Sequence, residues 1–281
     1  MIPTPTELKY FIEVYQIRHL SNAALRLAVS QPTLTQSLQS LEKKVGTRLF
    51  HRTRQGTIPT EAGIRLYQRA NALIHHWEDL QSSVRDSSTQ LTGRFKLGCH
   101  ESVGVYTLPR LLESIDGQAP GIELSLSHDL SRRITERVIA YELDLGIVVN
   151  PTRHPDLVMK KLGEDQFTFW KRKDLSRPPQ KVFAHLELTQ TQTLLKQTQA
   201  KVFKDWRVLG TGSFELIRAF TAQGLGVGVL PSRIARMDPS LVLAGSKLPA
   251  VRDEIFLVYR REALGSRAGK TLIELAPGIL K

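Results

Sequence analysis

The 281-residue chain carries 39 Lys and Arg against 27 Asp and Glu, a formal charge of +12, and a single cysteine, Cys99. One cysteine excludes an internal disulfide, no Cys/His cluster has structural-zinc spacing, and no apolar run approaches the roughly 18 residues that cross a bilayer. A chain of this length can bury a sufficient core without a cofactor or metal, and the expected setting is reducing and cytoplasmic, with neither export nor membrane insertion.

The charge is uneven. Residues 1–60 hold 8 basic against 3 acidic side chains, residues 61–90 hold 3 against 4, and residues 91–281 hold 28 against 20. The dense basic excess at the start fits a polyanionic partner, because neutralising phosphates releases condensed counterions.

Leu8, Phe11, Ile12 and Tyr15 recur at i, i+3, i+4 and i+7 and predict a first helix from Thr6, ending before Arg18-His19. Ser21 is placed to cap a short second helix with Ala23, Ala24 and Leu27 facing inward. After a break at Ala28-Val29, Ser30 as N-cap and Pro32 in the first turn open a third helix, with Leu34, Leu38, Leu41 and Val45 as its buried stripe and Gly46 as its stop. Two short extended pieces around Gln55-Gly56 follow, so residues 1–60 are expected to form a winged helix-turn-helix.

Residues 61–90 read as a linker. Leu66, Ala70, Leu73, Trp77, Leu80 and Val84 alternate at spacings of 4 and 3, a heptad-like seam on a helix roughly 40 Å long. Such a seam on a lone helix has no core of its own to enter and is expected to pair with a second copy, burial on a domain surface being the plainer alternative. A polar stretch from Asp86 to Gln90 ends it. His75 and His76 are adjacent on this helix, point to different faces and suit a hydrated surface better than a metal.

Beyond Gly93, strands and helices alternate: RFKLGC, GVYTLPRLLESI, IELSLSH, SRRITERVIAYE and LDLGIVV, then FTFWKR, a weakly patterned LELTQTQTLLKQTQ, WRVLG, SFELIRAFTAQ, LGVGVLP and EIFLVYRRE, with a helical tail in SRAGKTLIELAPGIL. This alternation predicts an α/β region with a mainly parallel sheet. The whole chain is thus expected to be multidomain, an α head followed by α/β.

Facing the third helix's leucines inward turns Pro32, Thr33, Gln36, Gln39, Ser40 and Lys43 outward. Gln can pair bidentately with adenine, Ser and Thr can bond several base edges, and a threonine methyl can meet that of thymine. Arg48, Arg52 and Arg54 on the adjoining wing are suited to phosphate. The plainer reading of the same residues is a solvated helix exterior beside a basic loop.

The segment from Glu7 to Gly63 resembles the DNA-binding domain of LysR-type transcriptional regulators. The resemblance rests on Ala23, Ala24, Leu27, Ser30, Gln31, Pro32, Leu34, Leu41, Glu42, Gly46, Leu49, Phe50, Arg52, Thr60, Ala62 and Gly63 at their spacings. It implies DNA contacts at Ser30, Gln31, Pro32, Thr33, Thr35, Gln36, Gln39, Ser40, Lys43, Arg52 and Arg54. Many members carry Arg where Gln36 stands. LGCHESVGVYTLPRLL, PGIELSLS, ELDLGIVV, AQGLGVGVLP and LVYRRE are similar to successive landmarks of the family's effector domain. The start of the second lobe, FTFWKRKDLSRPPQKVFAHLE, is shorter and more basic than usual. The resemblance implies a two-lobed, periplasmic-binding-protein-like region over 91–281, with lobe one at 91–165 plus 266–281 and lobe two at 166–265. It also implies a dimer through the linker helix, often a tetramer, and leaves contact with RNA polymerase open.

Ser102, Ser131 and Ser213 stand near starts of predicted helices that follow strands, where bare N–H groups suit an anion. Each also reads as an ordinary N-cap. The resemblance places effector contacts near them and near Glu101, Thr211 and Gly226, so the expected ligand is a small, anionic effector. Cys99 has no second cysteine to resolve an oxidised form, which argues against redox sensing. An α/β enzyme is disfavoured by the absence of GxSxG, GxxxxGK[ST] and HExxH, and GLGVGV leads into a strand instead of following one. A solute-binding protein would leave the first ninety residues without a role. A regulator of the same fold that needs no ligand stays open.

Overall fold

The computed structural model describes residues 2–53, 56–85, 91–199 and 202–280, which leaves Arg54, Gln55 and the polar stretch 86–90 outside the described residues, as are the side chains of His75, His76 and Val84. The chain divides into two compact units, one of residues 1–91 with 137–144 and one of 92–136 with 145–281.

In the first unit, α1 (Pro5–Ile17) begins with a reciprocal capping box: Thr4 accepts from the Glu7 N–H, and the Glu7 carboxylate accepts from the Thr4 N–H. It stops at Arg18, whose backbone turns left-handed. α2 (Leu20–Arg26) starts at His19 without a side-chain cap, so Ser21 lies inside the helix instead of capping it. Ala28 is left-handed at φ 54, and the Val29 N–H returns to the Ala24 carbonyl, closing the turn before α3 (Gln31–Val45). Ser30 caps α3, Pro32 spends its missing N–H in the first turn, and Gly46 ends it at φ 79.

The three helices close over Leu8, Phe11, Val14, Ala23, Ala24, Leu34, Leu38 and Leu41. Val14 takes the fully buried position, whereas Ile12 and Tyr15 are half-buried, and Val45, in the last turn of α3, is 38% exposed instead of closing the buried stripe. The wing strands β1 (Phe50–Thr53) and β2 (Gly56–Pro59) pair antiparallel from Phe50 opposite Pro59 to Thr53 opposite Gly56.

The helix α4 (Glu61–Arg85) follows the wing. Thr60 accepts from the Gly63 N–H and donates to the Arg48 carbonyl. A Cβ at position 63 would sit 2.3 Å from the Leu49 carbonyl oxygen, so only glycine lets the helix start there. Tyr67 stacks on Tyr15 at 3.8 Å and its hydroxyl accepts from Gln16. Farther along, Leu73, Trp77 and Leu80 of the heptad-like seam are 52%, 44% and 54% exposed.

The second unit holds a nine-stranded sheet. In its first lobe β3 (Thr92–Cys99), α5 (Glu101–Gln118), β4 (Gly121–His128), α6 (Ser131–Ile139) and β5 (Leu145–Val149) make parallel ladders, with β3 between β4 and β5. In the second lobe β7 (Lys181–Ala184), α7 (Thr189–Gln199), β8 (Arg207–Gly210), α8 (Phe214–Ala222) and β9 (Val227–Pro231) do the same around β7. A short helix α9 (Ser232–Ala235) and strand β10 (Leu241–Leu243) complete that lobe.

Two long strands join the lobes, β6 (Leu157–Arg172) and β11 (Val251–Arg260). They pair antiparallel with each other, and β11 also pairs antiparallel with β5 from Ile255 to Tyr259. The middle of the sheet is therefore antiparallel, against the mainly parallel expectation. The end of β11 also belongs to lobe one's ladder, so the expected boundary, with 166–265 wholly in lobe two, does not hold. The helix α10 (Arg267–Leu275) packs on α5 and β3.

Candidate nucleic-acid interface and ligand cleft

The first unit presents α3 from a polar scaffold. Glu7 on α1 accepts from the Ser40 hydroxyl at 2.7 Å and from Lys44 Nζ at 2.7 and 2.8 Å, besides its two bonds from Thr4. Burial alone would raise the Glu7 carboxyl, but the bonds from Lys44, the Thr4 N–H and Ser40 outweigh it and hold the group down at about 2. Between Ser40 and Lys44 in the same C-terminal part of α3, Glu42 Oε1 accepts from the Leu49 and Phe50 N–H groups, tying the helix to the wing.

On that scaffold Gln31, Pro32, Thr33, Gln36, Gln39 and Lys43 are exposed, while Thr35 is half-buried. Gln31 accepts from the Ser21 hydroxyl at 2.9 Å, and Ser30 is occupied by the Thr33 N–H and hydroxyl. Ser40 is the correction: half-buried and bonded to Glu7, it locks α3 onto α1 instead of joining the outward row. It sits one residue past Gln39, and that step of about 100° turns it to the side where α1 crosses. Arg48 and Arg52 are exposed beside this row.

In the second unit the expected effector contacts are scattered over several strand ends. His100 caps α5: its Nδ1 lies 2.9 Å from the Ser102 hydroxyl and accepts from the Ser102 N–H at 3.3 Å. The His100 ring faces Phe214 at 5.6 Å and His185 at 6.1 Å, so lobe one meets lobe two through an imidazole and aromatic cluster. Burial, reinforced by His185 and His128, pulls His100 down to about 4, and burial lowers His185 as well. His185 Nδ1 is buried without a hydrogen-bond partner among the described residues.

Thr211 Oγ1 accepts from the Ser213 N–H, and Ser213 caps α8 by accepting from the Leu216 N–H. These two residues adjoin Phe214 and so lie on the His100 side. The Ser131 hydroxyl instead accepts from the Val149 N–H, fastening α6 to the end of β5. Glu101 is exposed in the first turn of α5, where its own charge complements the helix dipole. Gly226 departs from the group altogether. It precedes β9 level with Lys181 at the start of β7, whereas Thr211 and Ser213 follow the far end of β8, and a Cβ there would lie 2.5 Å from the Lys181 carbonyl oxygen.

Sequence reasoning missed His185, Phe214 and the group around Asn150, whose amide donates to Asp253 at 2.7 Å while Gln190 donates to the same oxygen at 3.2 Å. The available signal was position: His185 and Asn150 each directly follow a strand. Burial raises the Asp253 carboxyl, and the Gln190 and Asn150 bonds act against it. Cys99 is buried and its thiol is pushed up to about 11, so it stays protonated and poorly nucleophilic at neutral pH.

Residues 5–64 match the bacterial regulatory helix-turn-helix proteins of the lysR family, and residues 88–278 match the LysR substrate binding domain. The HTH-type transcriptional regulator BbuR of Bordetella bronchiseptica is 31% identical over 161 residues, spanning 57% of this chain and half of that relative's length. A full-length OxyR from Pseudomonas aeruginosa shares the fold with a TM-score of 0.73 at 21% identity, covering 99% of this chain and 98% of that one. Full-length CbnR complexed with its target DNA aligns with a TM-score of 0.51 at 20% identity over 99% of this chain and all of that one. Helix-turn-helix head and two-lobed substrate-binding region together account for nearly the whole length, and the chain belongs to the LysR family of transcriptional regulators, a family of regulators and not of enzymes.

Proposed function

We propose that this regulator reads double-stranded DNA with the exposed row of α3 and responds to a small effector held between the lobes of its second unit. The observation that carries the reading is the row Thr33, Gln36, Gln39 and Lys43, exposed beside Arg48 and Arg52 on a helix whose opposite face is fully spent on the core. Gln36 and Gln39 supply paired donor and acceptor groups for base edges, with Ser30, Gln31, Pro32, Thr33 and Thr35 at the leading end, and Arg52 with Arg54 serves phosphate. The structural neighbour CbnR is known with target DNA bound, which supports the same use here.

In the second unit, Ser102, Thr211 and Ser213 around the His100–His185–Phe214 cluster would receive a small anionic ligand through hydroxyl and imidazole groups. Ligand that prefers one lobe arrangement shifts the population of that arrangement, and the coupling reaches DNA through paired copies. Leu73, Trp77 and Leu80, exposed along one seam of α4, support a dimer through that helix, with tetramers as the next level and RNA polymerase as a partner where the regulator activates. No described helix is long and apolar enough to cross a membrane, and the proposed place of action is the cytoplasm, where the DNA is.

Sequencing DNA recovered with the purified protein, with and without a panel of carboxylates and neutral metabolites, tests the reading. Gln36→Ala should change base preference at one position, whereas Arg52→Ala should weaken binding to every sequence and flatten its salt dependence. Equal loss on all sequences from both substitutions contradicts these roles, and calorimetry in which only neutral compounds bind contradicts the anionic effector.

A further inference from the structure

A cavity of about 670 Å³ opens beside the crossover strands of the second unit, lined by Tyr106, Asp165, Ser232, Arg233, Arg236 and Arg252 among others and by none of His100, His185 and Phe214. Its charges are unequally spent. Glu164 is held by Arg252 and Lys161, and its carboxyl lies at about 2 because of those two cations. Asp165 accepts from the backbone N–H groups of Gln166 and Arg233, and burial raises its carboxyl.

Two guanidinium groups bond to no side chain among the described residues, although both lie within electrostatic reach of the Asp165 carboxylate and act against its burial. Arg233 Nε is buried with no hydrogen-bond partner among the described residues, and its terminal nitrogens reach only backbone carbonyls, Leu280 at 3.5 Å and Glu164 at 3.4 Å. Arg236 is exposed and makes no side-chain hydrogen bond or ion pair among the described residues. The Tyr106 ring lies 5.6 Å from the Arg233 guanidinium and offers an apolar wall, and its hydroxyl likewise has no bond among the described residues.

We propose that this cavity is a binding site for a small organic carboxylate, its anionic end between Arg233 and Arg236 and its body against Tyr106. A buried guanidinium N–H without an acceptor costs free energy that a carboxylate oxygen recovers, and charge-assisted pairs of this kind are the strong ones. The volume suits a small molecule. An occupant touches α5 of lobe one, α9 of lobe two and both crossover strands, so it bears on the same hinge as a ligand at the His100 cluster while occupying a different place.

Isothermal titration calorimetry on the full chain tests the site with succinate and phenylacetate, and with phenylacetamide as the neutral counterpart. At least one carboxylate should bind while the amide does not. Arg236→Gln, a change at an exposed side chain, should weaken that binding about tenfold or more, Arg236→Lys should restore part of it, and Ser213→Ala at the other site should leave it unchanged. An unshifted thermal melt of Arg236→Gln checks that the fold is intact. Binding of neither carboxylate, equal binding of the amide, or binding lost in Ser213→Ala and kept in Arg236→Gln overturns the proposal.

Discussion

The outward row of α3 and the cleft of the second unit differ in how their polar side chains are spent. On α3, Gln36, Gln39 and Lys43 remain exposed, and the bonds that hold the helix come from behind it, through Glu7 to Ser40 and Lys44 and through Glu42 to the wing. In the cleft the hydroxyls are already engaged: Ser102 with His100, Ser131 with Val149, Thr211 with Ser213, and Ser213 with Leu216. A helix that reads a partner can separate support from recognition on two faces. Strand ends cannot, because the same few residues must cap the following helices and meet the ligand.

Breaking the support should therefore cost the first unit far more than trimming its outward row. Leu34→Ala, at a fully buried position, is expected to lower stability by about 3 kcal/mol, read as a fall in the denaturant midpoint, with loss of binding to all DNA alike. Glu7→Ala should follow at about 2 kcal/mol, because it strands Ser40 and Lys44. The Glu7 carboxyl is lower in the folded chain than its ordinary 4.5. Its stabilisation is thus complete above that value and is lost as pH falls from about 4.5 toward 2, and the acid limb of an unfolding-versus-pH curve should be shallower in Glu7→Ala.

Ser40→Ala sharpens the comparison further. It should cost about 1 kcal/mol in thermal unfolding and leave base preference unaltered, whereas Gln36→Ala should do the reverse. A change of preferred sequence in Ser40→Ala would return that residue to the reading face. In the cleft, Ser131→Ala should lose about 1 kcal/mol of stability with little effect on ligand affinity, while Ser213→Ala should change both; calorimetry and a melt on each variant separate the two.

Much of the first unit was legible because its signals are local. Ser30, Pro32 and Gly46 mark the ends of α3 by chemistry that needs no distant partner, and the leucine spacing names the buried face. The misreadings there are edge effects: Ser21 is one residue inside α2, Val45 lies one turn beyond the core, and Ser40 is one step around the helix from Gln39. In the second unit, the first half of β6 escaped the pattern because a half-buried crossover strand shows no clean alternation, and β7 is only four residues long.

By itself the sequence determined the head, the linker seam, the alternation of strands and helices and the family, since caps, glycines and periodic leucines act within a few residues of themselves. Only the tertiary structure decided that Ser40 belongs to Glu7, that Gly226 is a packing position, that the sheet turns antiparallel where β6 and β11 cross, and that His100 meets His185 and Phe214. Each of these depends on residues dozens of positions apart, or on which end of a ladder a strand presents. Such pairings arise when long segments pack, and no local spacing encodes them.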